Sequence, residues 1–259
     1  NMETDYDFSS KVFFEDLQKP YNVGLTAAER AVKRLKSKKC KTGKFPVIFD
    51  KRVSKSIASH IASAINGSAV ANGTSLFKDK MGEQVLNSSI NVIDDPNLHR
   101  GLGSSPFDGE GLAKNKLNMI ENGILKNWLL DLSSSRQLEV ESNANAIRGI
   151  GSNAYPGPSN FMILPSKRKF KTLFEDIKEG LLITELIGSS VNMITGDYSR
   201  GASGFWIDKG EITYPISEVT IAGNLNEMFL NMIVSDDIDL SSRISSPSIR
   251  IDNMTIAGN

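Results

Sequence analysis

The chain has 259 residues, enough to bury one large core or two small ones, and its 39% hydrophobic and 23% charged content is ordinary for a globular protein. Thirty basic residues balance thirty acidic ones, so net charge argues neither for nor against nucleic acid or an acidic membrane surface. Cys40 is the single cysteine, which excludes an internal disulfide and a cysteine-based metal cluster; with no membrane-length apolar run and no signal-peptide pattern, the expectation is a cytoplasmic protein.

In chain order, residues 1–24 are polar and irregular and read as a linker. Thr26 and Glu29 then stand at capping-box spacing, which predicts a helix starting there and running through "TAAERAVKRLKSKK". The basic stretch "ERAVKRLKSKKCKTGKF" reads as a solvated helix face and a basic turn rather than a phosphate-binding patch. "FPVIFD" is a short buried strand by its apolar run. "VSKSIASHIASAINGS" sets Val53, Ile57, Ile61, Ala64 and Ile65 on one helical face, with Gly67 placed to end the helix.

From about Ser88 the pattern changes to strands and turns. "SSINVIDDP" alternates and meets a proline, and "KLNMIENGILKNWLLD" reads as a hairpin around Asn122-Gly123. "GFWIDKGEITYPI" repeats the hairpin idea at Lys209-Gly210, while "NFMILP", "GLLITELIG" and "SIRIDNMTIA" add strands. "FKTLFEDIKEG" reads as a short amphipathic helix closed by Gly180. Frequent hairpins and few βαβ spacings argue against a doubly wound sheet and for an α+β, mainly antiparallel fold. The sequence "TIAGN" occurs at Thr220–Asn224 and again at Thr255–Asn259. Dissimilar flanks make the copies two strand exits with the same turn chemistry, the first handing over to a helix capped by Asn224.

Few residues could carry chemistry. His99 lies in a polar loop and reads as solvated; His60 lies within the apolar stripe of its helix and reads as a core-edge histidine. Neither belongs to an HExxH or HExxxH arrangement, so no zinc motif is present. Asp94, Asp95, Asp108 and Glu110 cluster in "IDDPNLHRGLGSSPFDGEG". Their spacing matches no calcium loop, so surface turns or contacts to a peptide amine or a partner's basic groups are the readings kept. "ITGDYSRGASGFWI" lacks P-loop order and reads as a tight connection between strands, with Asn192, Thr195, Asp197 and Ser199 as candidate cleft-lining residues. Ser199 has no histidine in its region to activate it as a nucleophile.

Several segments together carry a resemblance: "FPVIFDKRV", "NGSAVANGTSLFKDKMGEQV", "IDDPNLHRGLGSSPFDGEG", "NMIENGILKNWLLD", "ELIGSSVNMITGDYSRGASGFWIDKGEITYPISEVTIAGNL" and "PSIRIDNMTIAG". From about Phe45 to the end, the chain resembles the TldD/PmbA family, once described as modulators of DNA gyrase, and within it the PmbA branch, also called TldE. Members of that family are close to twice this length. The resemblance therefore implies a C-terminal portion, with residues 1–44 a linker and basic helix trailing an absent N-terminal domain and residues 45–259 a β-rich, barrel-like domain with a few packed helices. The TldD branch is a zinc metallopeptidase using HExxxH on a helix, and the corresponding helix here is "SKSIASHIASAING". Ala58, Ser59 and Ser63 in that window supply neither two imidazoles nor a general base, and His60 does not restore the pattern.

The expectation is thus a chain with no catalytic residue, metal ligand or cofactor of its own. Zinc is expected in a TldD-like partner subunit, with a peptide or unfolded segment as ligand and no membrane. The alternatives are a gyrase- or nucleic-acid-associated binding protein, for which no groove-reading motif is recognised, and an independent peptidase with an unrecognised site.

Overall fold

In the computed structural model, which describes residues 2–258, α1 spans Pro20–Arg34, β1 Gly43–Phe49, α2 Lys51–Ala64 and α3 Gly67–Ala71. Short elements follow: β2 (Val92–Asp94), β3 (Leu117–Glu121), β4 (Ile124–Leu125), α4 (Leu132–Gln137), β5 (Ala146–Ile147), β6 (Tyr155–Pro156) and β7 (Phe161–Ile163). The last third holds β8 (Glu179–Val191), β9 (Asp197–Asp208), β10 (Glu211–Asn224), α5 (Leu225–Asn231), β11 (Ile233–Val234), β12 (Ile244–Ser245) and β13 (Ile249–Ala257).

Five of these strands close into a barrel in the order β1-β8-β9-β10-β13, with β13 pairing back onto β1 and β11 added beside β13. Only β1–β8 is parallel within the ring. The two TIAGN copies are what closes it: Thr220, Ile221 and Ala222 lie opposite Ala257, Ile256 and Thr255. The α+β, mainly antiparallel, barrel-like expectation holds. The predicted turns hold too, since Asn122, Gly123, Lys209 and Gly210 all adopt positive φ, as two-residue hairpin turns demand.

Period-two alternation sorts the barrel side chains. Val47, Phe49, Leu181, Ile183, Tyr198, Trp206, Ile251 and Ile256 join the main core, which also takes Ile57, Ala58 and Ile61 of α2. Ile48, Leu182 and Ile207 form a second cluster with Leu173, Phe174 and Ile177. Arg250 fastens that covering segment, donating to the Leu173 carbonyl at 3.1 Å and pairing with Asp176. A second sheet runs β12-β7-β2-β3-β4, and α2 packs against both it and the barrel. That places α2 between the two sheets.

Three local expectations are corrected. The first helix begins at Pro20 rather than Thr26, because proline's fixed φ suits the first helical position and needs no side-chain cap. Gly67 opens α3 instead of ending α2; Asn66 caps α3, and a Cβ at Gly67 would lie 2.7 Å from the Leu129 carbonyl. Finally, "FKTLFEDIKEG" forms only a 3-10 turn at Phe170–Leu173, and Gly180 lies in β8. A Cβ there would lie 2.8 Å from the Pro46 carbonyl, so the glycine serves the close β1–β8 approach. Residues 2–19, read as a linker, contain one further 3-10 turn at Phe14–Asp16; Glu3, Asp5 and Asp7 pair with arginines of α1 and α2, and Glu15 and Asp16 with Arg100.

Candidate functional site

The four clustered carboxylates spend their oxygens on the protein's own chain. Asp94 is fully buried in β2 and accepts from the Ser159 amide at 2.8 Å and the Asn145 side chain at 2.9 Å. Burial pushes its carboxyl above the ordinary range, partly offset by these bonds and by Lys114. Asp95 accepts from the Asn97 amide and faces Lys116 at 3.6 Å. Asp108 accepts from the amides of Glu110 and Leu112 with one oxygen and Ala146 with the other. Glu110 accepts from Leu132 at the start of α4. Asp94 ties the loops at Asn145 and Ser159 to the second sheet, and Asp108 joins its own turn to Ala146.

The other four predicted residues gather at the β8–β9 tip. Asn192, Asp197 and Ser199 line an open cleft of about 1000 Å³, with Thr74, Tyr198, Ala222 and Gly223. Thr195 supports it, donating its hydroxyl to Asp197 at 2.7 Å while its amide bonds Asn192. Asn224 ties the tip to the first TIAGN copy by donating to the Thr195 carbonyl.

Beneath the cleft lies a pair of unsatisfied polar groups. His60 of α2 meets the Tyr198 ring edge-on, with ring centroids 5.9 Å apart. Neither the His60 Nε2 nor the Tyr198 hydroxyl has a hydrogen-bond partner, and both atoms are buried. Burial, reinforced by the Arg200 charge, pulls the His60 imidazole down to about 4. Burial likewise pushes the Tyr198 phenol up. Both groups are therefore neutral near pH 7. The sequence reading placed His60 at a core edge, which holds, and missed Tyr198. Tyr198 shares its inward phase in β9 with Ala202 and Trp206, the signal that could have found it.

Beyond Ile183, β8 outruns its partner on one side. β1 pairs with Leu181–Ile183 only, so Thr184–Val191 have β9 on one flank and no strand on the other among the described residues. Ile187 in this stretch is exposed.

Residues 42–258 match the PmbA/TldA metallopeptidase C-terminal domain. The chain belongs to the PmbA/TldD family. It is 39% identical to the metalloprotease PmbA of Escherichia coli O157:H7, across the whole of this chain and 56% of that protein. A Thermotoga maritima crystal structure, described as a candidate modulator of a DNA gyrase, superimposes with a TM-score of 0.86 at 32% identity, covering 94% of this chain and 56% of that one. TldE of Thermococcus kodakarensis gives 0.81 at 25% identity, covering 92% and 55%. The chain thus spans about half the length of the relatives it matches.

Metallopeptidase chemistry in the PmbA/TldD family implies a bound metal, so the donor set matters. A catalytic zinc takes about three protein ligands plus water. Along α2, Ala58, Ser59 and Ser63 flank His60, and no group of three His, Cys, Asp or Glu side chains among the described residues is arranged to hold a metal. His99 is exposed in its loop, and Cys40 is buried with its thiol raised by that burial. The described residues present no such donor set. No helix among the described residues is long and apolar enough to cross a membrane.

Proposed function

We propose that this PmbA/TldD-family chain acts as the non-catalytic, peptide-handling subunit of a TldD/TldE-type metalloprotease system, with zinc and the attacking water supplied by a TldD-like partner. The observation that carries this reading is the α2 helix: one neutral imidazole, His60, stands there edge-on to Tyr198, and the helix carries no other His, Cys, Asp or Glu. The unflanked part of β8 supports peptide handling, since an extended segment can add as a strand to such an edge. The cleft at Asn192, Asp197 and Ser199 lies at the end of the same strand pair and offers hydroxyl, amide and carboxylate groups to a bound segment.

The test is reconstitution. Mixing the full-length protein with its HExxxH-bearing relative is expected to give a complex and to raise cleavage of an unfolded substrate. Unchanged cleavage with no complex would count against the proposal, as would stoichiometric zinc and peptide cleavage by this chain alone.

A gyrase- or nucleic-acid-associated role draws on the basic run, in which Arg30, Arg34 and Lys41 are engaged with Asp7, Asp5 and Glu179. Cations already paired release few counterions on meeting phosphate.

A further inference from the structure

The N-terminal segment does not behave as a free linker. Along Glu3–Phe8 burial alternates: Glu3, Asp5 and Asp7 turn inward while Thr4, Tyr6 and Phe8 stay exposed, the signature of an extended strand with one face engaged. Each inward residue is acidic, and each meets an arginine. Asp7 pairs with Arg30 at 2.9 Å, Asp5 with Arg52 at 2.7 Å and Arg34 at 3.6 Å, and Glu3 with Arg34 at 3.9 Å.

The same arginines read the main chain. Arg34 donates to the Thr4 carbonyl at 3.1 Å, and Arg30 and Arg52 each donate to the Tyr6 carbonyl at 3.2 Å. On the outer side, the Arg52 guanidinium lies 5.5 Å from the Tyr6 ring and the Lys55 ammonium 5.5 Å from the Phe8 ring. Carbonyls two residues apart, with acids at the alternate positions, are features any extended acidic peptide presents.

Charge rather than apolar packing holds the segment. None of residues 2–10 is buried, and hollows of about 350 Å³ and 450 Å³ flank Tyr6. The receptor side, by contrast, is built in. Arg34 is only 8% exposed although it carries a charge, and once the segment leaves it keeps Glu185 as its one acidic partner. Arg30, Arg34 and Arg52 find their carboxylate partners mainly in this segment, so the groove favours an acidic occupant.

We infer that the groove between α1 and α2 is a binding site for extended peptide segments with acidic residues at alternate positions, occupied in cis by Glu3–Phe8. The site is independent of the subunit reading above, because it needs neither the partner nor the β8 edge. A segment supplied by another protein would enter by displacing the resident one, and the exchange would be governed by ionic strength.

The test uses the full chain carrying E3Q, D5N and D7N together, and a fluorescent peptide of the sequence Glu3–Ser10. In the variant, limited proteolysis within residues 2–10 is expected to speed up severalfold. The peptide is expected to bind the variant at least about tenfold more tightly than the wild-type chain, whose groove is filled, and to lose affinity as salt rises from about 0.05 to about 0.5 M. Adding R52Q to the variant is expected to abolish binding; Arg52 is half-exposed, so this change leaves the core intact. An unchanged proteolysis rate within residues 2–10 of the triple variant would overturn the electrostatic latch. A released segment with no peptide binding, or equal binding of a peptide with Asn and Gln in place of its acids, would overturn the site.

Discussion

Ile221 and Ile256 lie directly opposite each other, each at the second position of a TIAGN copy and each fully buried. The repeated pentapeptide is thus an antiparallel pair of one sequence with itself, and it seals β10 to β13. A closed barrel has no free edge at that seam, so backbone donors that would face water are bonded within the ring. The same closure sets the β8–β9 tip, through Asn224, over the His60–Tyr198 pair.

Truncating the seam is the direct test of its weight. Ile256→Ala removes a buried branched side chain from the core and is expected to cost about 2–4 kcal/mol, read as a lower urea midpoint at unchanged slope. A cost below about 1 kcal/mol would mean that the seam does not hold the barrel.

Gly204 marks the tightest strand contact. A Cβ there would lie 1.9 Å from the Leu182 carbonyl oxygen, a backbone atom that β8 pairing holds in place. Gly204→Ala is expected to destabilise by about 3 kcal/mol or more, or to abolish folding. Gly24→Ala, in α1 with open space around it, is the control and is expected to be neutral or stabilising.

His60 predicts a pH dependence. Burial holds its folded imidazole near 4, against about 6.5 when unfolded, so between those values the unfolded chain binds the extra proton. Its contribution is fully present above pH 6.5 and declines as pH falls toward 4, by up to about 3 kcal/mol. The stability difference between wild type and His60→Phe, followed by urea unfolding from pH 7 to 4, should therefore fall on acidification. A constant difference would refute the buried, neutral imidazole.

Asp5 predicts a second window at lower pH. Burial would raise its carboxyl, but the Arg52 hydrogen bond and the charges of Arg52 and Arg34 outweigh it and hold the group below its ordinary value. The stabilisation is present above the unfolded value of about 3.9 and is lost as pH falls through the folded one. Asp5→Asn is thus expected to lower the urea midpoint at pH 7 and to match wild type once both are strongly acidified.

Much of the fold was written in local pattern. Asn122-Gly123 and Lys209-Gly210 announced their hairpins because two consecutive positive φ values suit few other residue pairs. Val53, Ile57 and Ile61 announced α2 by helical spacing, and Asn224 announced the cap of α5. The failures are equally local in cause. Gly67 and Gly180 looked like helix stops, yet each is glycine because another segment's carbonyl comes too close for a Cβ. Such an approach belongs to a neighbour distant in sequence and leaves no trace in the glycine's own surroundings.

The candidate site divides the same way. The sequence by itself determined that His60 had no HExxxH companions, that strands dominate after Ser88, and that Asn192, Asp197 and Ser199 fall in one turn-rich stretch, because these are matters of residue identity and spacing along the chain. Only the tertiary structure decided that the TIAGN copies pair with each other, that Asp94 and Asp108 accept from backbone and side-chain amides of distant loops, that Tyr198 lies against His60, and that an acidic alternation in residues 3–7 answers three arginines up to 47 residues away. Each of these depends on which distant segments the closing barrel and its α2 helix bring within a few ångströms, and hydrogen bonds and ion pairs act only at that range.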